Sequence, residues 1–318
     1  MDPIVPIMEA RHVVKRFPTE KGGELVAVND VSLSFYPQLT VGIVGESGCG
    51  KSTFARMLMH LEQPSEGQIL MHGKDYFSLK GEEQRQQRRH VQMVFQDPMG
   101  SFAPKMRMRD AICRPLLNYG LIERNQVRGT AMEYLKRVGL PPEFEDRFPH
   151  ELSGGQRQRV AIARALVLDP ELLICDEATS ALDVSAQEDV IRLLEKLQED
   201  VGIGIVFICH DMALVSRFAH HVQVMYLGNV VEELEGYALK TNALHPYTQM
   251  LIDSVFDLHT GERKVLNERF GEAPDPSRIP VGCPFQDRCR KCMDICRKEK
   301  PVFERLDKEH AVACHLYD

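Results

Sequence analysis

Residues 45–53 read Gly-Glu-Ser-Gly-Cys-Gly-Lys-Ser-Thr, which puts Gly45, Gly50, Lys51 and Ser52 on the spacing G-x-x-x-x-G-K-[ST]. The apolar run 39–44 before it reads as a buried strand, and residues 54–59 after it as the opening of a helix. In that strand, loop, helix setting the backbone of Gly45, Glu46, Ser47, Gly48, Cys49, Gly50, Lys51, Ser52 and Thr53 bends so that its N–H groups and the helix N-terminus converge on phosphate oxygens. Lys51 would reach the β- and γ-phosphates, and the Ser52 hydroxyl would sit on Mg²⁺. The bland alternative is a glycine-rich turn with a chance lysine. Full spacing in the right setting argues against it.

Composition sets the outer limits. At 318 residues the chain can bury a substantial core as one large or two modest domains. Lysine and arginine total 39 against 46 aspartates and glutamates, so there is no basic surplus to hold nucleic-acid phosphates. No apolar run approaches the roughly 18 residues of a membrane-spanning helix. The longest, 203–209, has the length of a core strand. The opening Met1-Asp-Pro-Ile-Val-Pro lacks the basic and apolar regions of a signal peptide. The expectation is a cytosolic setting, in which the nine cysteines read as thiols or metal ligands rather than disulfides.

Outward from the loop, residues 7–36 alternate as antiparallel strands do. Phe17, just before the charged loop 18–24, reads as packing when taken alone and as a candidate for stacking on an adenine when set beside the phosphate loop. Residues 65–73 give a turn and a short strand, and the charged run 79–90 reads as a solvated helix face with no ligand. A strand at 91–95 ends at Gln96-Asp-Pro98, after which 99–150 read as a helical insert. Ser153, Gly154 and Gly155 precede the amphipathic helix 157–166 and offer a second place for an anion. The apolar run 172–175 then delivers Asp176 and Glu177 to a strand's C-terminal end, where ligands of open α/β sheets bind. Asp176 suits Mg²⁺ and Glu177 suits polarisation of an attacking water. Without the phosphate loop upstream the pair would read as solvated acids. Ser180-Ala-Leu-Asp183 makes a turn before a helix over 186–201, and the strand 203–209 presents His210 for contact with a γ-phosphate.

The phosphate loop, Gln96, Leu152-Ser-Gly-Gly-Gln156, the strand into Asp176-Glu177, Ser180-Ala-Leu-Asp183 and His210, in this order and at these separations, resemble the ATP-binding subunits of ABC transporters over nearly the whole chain. The resemblance implies an α/β fold: a P-loop NTPase (RecA-like) ABC ATPase core with an antiparallel β subdomain and a helical subdomain inserted at about 97–158. Residues 1–265 would form this nucleotide-binding domain and 266–318 a small Cys-rich extension. Two such subunits would pack head to tail around two ATPs, so that Ser153, Gly154, Gly155 and Gln156 serve the nucleotide on a partner's phosphate loop. Gln96 would sense Mg²⁺ and the water, Glu177 act as general base, His210 hold the γ-phosphate, Asp183 communicate between the sites and Phe17 stack on the adenine. No motif is degenerate, which predicts competence in hydrolysis.

His245-Pro-Tyr-Thr248, Gly271-Glu-Ala-Pro274 and Gly282-Cys-Pro-Phe-Gln-Asp-Arg-Cys289 further resemble the tail of the dipeptide and oligopeptide transporter ATPases, a group that includes nickel importers. Five of the nine cysteines fall in the last 36 residues, and Cys283, Cys289, Cys296 and Cys314 are spaced C-x5-C-x6-C-x17-C. The resemblance implies a [4Fe–4S] cluster on these four, thiolates being its usual ligands. A four-cysteine Zn²⁺ site, with His310 or His315 as substitutes, is the physical alternative. Cys292 lies outside the pattern as an alternative ligand, and a metal-free thiol-rich tail is the bland reading.

The expectation is therefore an ATPase subunit, peripheral to the cytoplasmic face of a membrane, that powers import of di- or oligopeptides. Its partners would be a sister ATPase or a second copy, two membrane-spanning permease subunits and an extracytoplasmic substrate-binding protein, with no nucleic acid. Nickel is an alternative cargo. A soluble ABC ATPase acting on nucleic acid or ribosomes, and a metal-sensing regulator built around the tail, are the rivals. A single phosphate loop without coiled-coil or zinc inserts argues against the first, and the intact catalytic set against the second.

Overall fold

A computed structural model describes residues 5–19, 22–96, 100, 102–256 and 279–318. The chain runs through β1 (Met8–Pro18), β2 (Glu24–Phe35), β3 (Thr40–Val44), α1 (Lys51–Leu58), β4 (Glu66–Met71), β5 (Lys74–Asp75), α2 (Gly81–Gln87), β6 (Val91–Val94), α3 (Met108–Asn118), α4 (Val127–Arg137), α5 (Gly154–Leu166), β7 (Leu172–Asp176), α6 (Val184–Val201), β8 (Gly204–Ile208), α7 (Met212–Phe218), β9 (His221–Tyr226), β10 (Asn229–Glu235), α8 (Pro246–Phe256), β11 (Glu304–Arg305) and β12 (Ala311–Val312). Asp97-Pro98, the motif at 271–274 and the expected boundary at 265/266 lie outside the described residues. The chain divides into two compact units: the described residues of Met1–Ile7, Phe35–Leu39 and Ser78–Val206, and those of Met8–Ser34, Thr40–Phe77 and Phe207–Asp318.

In the unit that carries the phosphate loop, β3 and β9 pair in parallel, Val41 opposite His221 and Val44 opposite Val224. Every residue of β3 is buried. A strand covered on both faces requires continuous apolar side chains, which is why Val41-Gly-Ile-Val44 does not alternate. On the far side of β9, β10 pairs antiparallel with it and then with β12. A separate four-stranded sheet in the order β2-β1-β4-β5 supplies the antiparallel subdomain, with Met8 opposite Met71.

A buried carboxylate binds the end of the chain into this unit. Glu232, on β10, is fully buried. Its Oε1 accepts the Leu244 N–H at 2.6 Å and lies 2.8 Å from His310 Nε2, while Oε2 accepts the His245 N–H at 3.2 Å. A carboxylate buried without partners is strongly destabilising, so these donors fix both segments on β10. His245 is buried too, and its Nδ1 accepts the Tyr247 N–H at 3.1 Å as α8 begins.

In the other unit β6 and β7 pair in parallel, Val91 opposite Leu172 and Val94 opposite Cys175. Between them the chain makes α3, α4, two 3-10 turns (Pro142–Asp146 and Pro149–Glu151) and α5, with no strand among the described residues. Glu145 is buried in the first turn, where its carboxylate accepts from Arg109 at 2.9 Å and Arg128 at 3.0 Å. That pairing holds α3 and α4 to the turn.

Burial depresses the pKa of His245 from 6.5 to about 4, against an opposing pull from Glu232. The unfolded chain then takes up a proton that the folded one refuses, so stability present above pH 6.5 is lost progressively as pH falls toward 4. Wild type should lose thermal stability over this window more steeply than His245→Asn, whose amide oxygen still accepts from Tyr247. Parallel calorimetric profiles for the two proteins would count against it.

Candidate functional site

Backbone shape makes the phosphate loop. Gly45, Gly48 and Gly50 have φ of 148°, 80° and 109°. A Cβ on Gly45 would stand 2.2 Å from the Met225 carbonyl oxygen on β9, and one on Gly50 would stand 2.1 Å from the Ala27 carbonyl oxygen on β2. Both positions exclude a side chain by space as well as by φ. Gly50 is the N-cap of α1 and no side chain caps the helix there. An uncapped N-terminus, with the helix dipole behind it, attracts phosphate.

Lys51 is buried, and its ammonium donates to the carbonyls of Gly45 at 2.7 Å and Glu46 at 2.9 Å. Phosphate oxygens are charged acceptors and would displace these neutral ones. Ser52 follows in the first turn of α1. The loop is also gripped from outside. The Glu46 N–H donates to the Tyr247 hydroxyl at 2.8 Å, and Arg288 donates to both Glu46 carboxylate oxygens at 2.7 and 2.9 Å. Sequence reading missed both partners. They lie 201 and 242 residues downstream, in segments that read only as marks of a subfamily.

In the same unit Phe17 is half-buried, with the Lys15 ammonium 4.9 Å from its ring centre. One ring face therefore already carries a cation. His210 is exposed in the turn after β8. Asp211 beside it caps α7, its Oδ1 accepting from the N–H groups of Ala213 at 2.9 Å and Leu214 at 3.0 Å.

In the other unit Asp176 ends β7 and Glu177 follows at φ 49°. That left-handed conformation costs a non-glycine residue about 1–3 kcal/mol and persists where surrounding structure imposes it. Gln96 Nε2 donates to Glu177 Oε2 at 2.7 Å. The glutamine expected to sense Mg²⁺ and water is thus found on the candidate base itself. Ser153 and Gln156 form a reciprocal capping box at the start of α5: Ser153 N–H donates to Gln156 Oε1 at 3.0 Å, and Gln156 N–H to Ser153 Oγ at 3.3 Å. Asp183 caps α6 by accepting the Ala186 N–H at 2.9 Å. The two capped ends abut, since a Cβ on Gly155 would come within 3.3 Å of Ala186 Cβ.

The expected [4Fe–4S] cluster or Zn²⁺ site on Cys283, Cys289, Cys296 and Cys314 finds no support in the geometry. Among the described residues no group of three or more His, Cys, Asp or Glu side chains could hold a metal ion. Cys283, Cys296 and Cys314 are buried, and Cys289 and Cys292 half-buried. Burial pushes the Cys283 thiol up to about 12 and also raises Cys289, Cys292 and Cys314, and neighbouring sulfurs add to the effect, Cys296, Cys314 and Cys289 each acting on Cys283. The substitute histidines are engaged elsewhere, His310 on Glu232 and His315 between Asp318 and the Glu299 carbonyl.

The ABC transporter family matches residues 28–180. The chain is 45% identical to the oligopeptide transport ATP-binding protein AppF of Bacillus subtilis (strain 168), over 98% of this chain and 97% of that protein. It belongs to the ABC transporter ATP-binding proteins. This ABC ATPase is also 44% identical to the oligopeptide transport ATP-binding protein OppF of Salmonella typhimurium, over 92% of the chain and 89% of the relative. The family of the oligopeptide/dipeptide transporter C-terminal region matches residues 231–296, a span that takes in Tyr247 and Arg288. Among solved structures, dimeric MJ0796, a bacterial ABC transporter cassette, aligns with TM-score 0.65 and 30% identity over 72% of this ABC ATPase and 98% of its own chain. CbiO1 from Clostridium perfringens aligns with TM-score 0.67 and 25% identity over 80% and 97%. The expected P-loop core of the ABC ATPases is thereby shown.

A Cβ on Gly48 would meet nothing within 4 Å. Gly50→Ala should therefore cost about 2 kcal/mol or more of stability, and Gly48→Ala about 1 kcal/mol, from backbone strain alone. Urea denaturation measures both, and equal losses would show that the approach to Ala27 does not constrain the loop.

Proposed function

We propose that the chain hydrolyses ATP to drive import of di- or oligopeptides through a membrane ABC transporter. The observation that carries this reading is the Glu177 carboxylate, held by Gln96 at 2.7 Å directly after β7. The relatives' peptide transport and the match to their C-terminal region support the choice of cargo.

In this reading residues 1–265 form the nucleotide-binding domain, with the helical insert at about 97–158, and 266–318 form the extension. Lys51 and the N-terminus of α1 bind the β- and γ-phosphates. Ser52 and Asp176 would hold Mg²⁺, which when bound with ATP neutralises charge on the phosphate oxygens. A hydroxyl and a carboxylate fit an ion that takes its remaining ligands from phosphates and water. Glu177 takes a proton from the attacking water, and the hydrogen bond from Gln96 to one carboxylate oxygen directs the other toward that water. His210 donates to the γ-phosphate as negative charge develops. Ser153, Gly154, Gly155 and Gln156 act on the nucleotide of a partner ATPase, Asp183 communicates between the two sites, and Phe17 receives the adenine on the ring face away from Lys15.

The partners are a sister ATPase or second copy, two permease subunits and, through them, an extracytoplasmic binding protein, with the chain peripheral to the cytoplasmic face. A groove of about 630 Å³ on the helical insert supports the permease contact. Beside Arg109 and Arg128, which Glu145 already engages, its lining carries Lys105, Arg114 and Arg124 with a single acid, Asp110, and apolar Met106, Leu117 and Val127, and suits an amphipathic coupling segment with acidic residues.

Glu177→Gln should keep ATP affinity close to wild type and lower turnover by about 100-fold or more. Undiminished hydrolysis would reject Glu177 as the base. Tagged chain recovered from gently solubilised membranes should bring two membrane-spanning proteins, and ATP hydrolysis by the complex should rise with peptide. Recovery with ribosomes or nucleic acid alone would overturn the transport assignment and leave the ATPase standing.

A further inference from the structure

Glu46 is an acid inside a loop whose task is to bind an anion. A free carboxylate there would repel a triphosphate, yet Arg288 meets it with two parallel hydrogen bonds of 2.7 and 2.9 Å. The Arg288 side chain is only 9% exposed. Glu46 pushes its guanidinium pKa further up, so the charge is permanent. The Arg288 guanidinium lies 5.9 Å from the Tyr226 ring centre and 5.8 Å from that of Phe285. Those rings and Tyr247 form one buried cluster, with centres 4.6 to 5.4 Å apart. Tyr247 is fully buried, and its hydroxyl accepts the Glu46 N–H at 2.8 Å. Main chain and side chain of one loop residue are thus held by two residues from the C-terminal third of the sequence. The aromatic packing fixes where both can be.

We propose that Tyr247 and Arg288 position the phosphate loop for triphosphate binding, Tyr247 by fixing the Glu46 backbone and Arg288 by fixing and neutralising the Glu46 carboxylate. Neither touches the reacting atoms, so both act on nucleotide affinity rather than on the chemical step. The inference rests on the ATPase reading above and adds to it a role for the C-terminal segment, which becomes part of the nucleotide site rather than an appendage. Lysine cannot reproduce the bidentate contact although it keeps the charge, which separates geometry from neutralisation.

The test uses the full-length chain, ATP titration with a fluorescent nucleotide, and steady-state hydrolysis. Tyr247→Phe keeps the buried ring and removes only the acceptor. It should raise KM and Kd for ATP about five-fold, the worth of one neutral hydrogen bond, with kcat within about two-fold of wild type. Arg288→Gln, which loses a charge-assisted pair, should raise them about ten-fold or more. Arg288→Lys should fall between Arg288→Gln and wild type. Adding Glu46→Gln to Arg288→Gln should recover most of the affinity, because the repelling charge goes with its partner. Should Arg288→Gln fail to fold, Tyr247→Phe and Arg288→Lys carry the test. Wild-type KM and Kd in folded variants, or loss confined to kcat, would falsify the positioning role while leaving the ATPase reading intact. Failure of wild type itself to bind nucleotide would overturn both.

Discussion

The close approach of bare backbone to bare backbone at Gly45 and Gly50 is the constraint on which the rest depends. To curl nine residues around a phosphate, the chain must pass its main chain against the carbonyls of Met225 and Ala27 at distances no Cβ survives. Those carbonyls belong to β9 and β2, which are therefore the outer wall of the loop and must be immobile. Burial of every residue of β3, and its parallel register with β9, supply that rigidity on one side. On the other, β10 seats Glu232, which draws in the start of α8 and the chain end through His310.

The molecule repeatedly uses an acid as a fastener, buried at Glu232 and Glu145 and half-buried at Glu46. Glu232, Glu145 and Glu46 each collect donors from segments distant in sequence. A buried ion pair contributes little net stability over an apolar contact, but losing one partner is costly, and the geometry is specified to within a hydrogen bond. The device suits a protein in which separate segments must meet in one arrangement. Glu177 follows another rule. Its carboxylate is held by the neutral Gln96, so its charge stays available for proton transfer, and its backbone carries strain instead.

What was legible in the sequence followed from range. The phosphate loop, the apolar strand into Asp176-Glu177 and the helix after Ser153 declare themselves within a dozen residues, because spacing and period are local properties. The structure adds helix capping by Ser153, Gln156 and Asp183, which short-range reading had taken only as ligand sites. Those hydroxyl, amide and carboxylate groups are the ones that satisfy helix N-termini, and one residue type serves both purposes. The contacts of Tyr247 and Arg288 could not be read, since no local pattern encodes a partner more than two hundred residues away. The cysteine spacing decides less for a related reason. Sulfurs at regular intervals bring the residues into one segment without fixing how the side chains point, and only the fold sets Cys283 beside Cys289, Cys296 and Cys314.

The separation of 242 residues between Glu46 and Arg288 also has a temporal side. At 5–20 residues per second, a ribosome finishes the loop on the order of 10–50 s before it makes the arginine that holds it. During synthesis the chain carries every motif of the nucleotide site before the site has its anchor. A message cut short between the codons for His210 and Arg288 would yield a product that carries every motif of the nucleotide site and lacks the arginine that holds its loop.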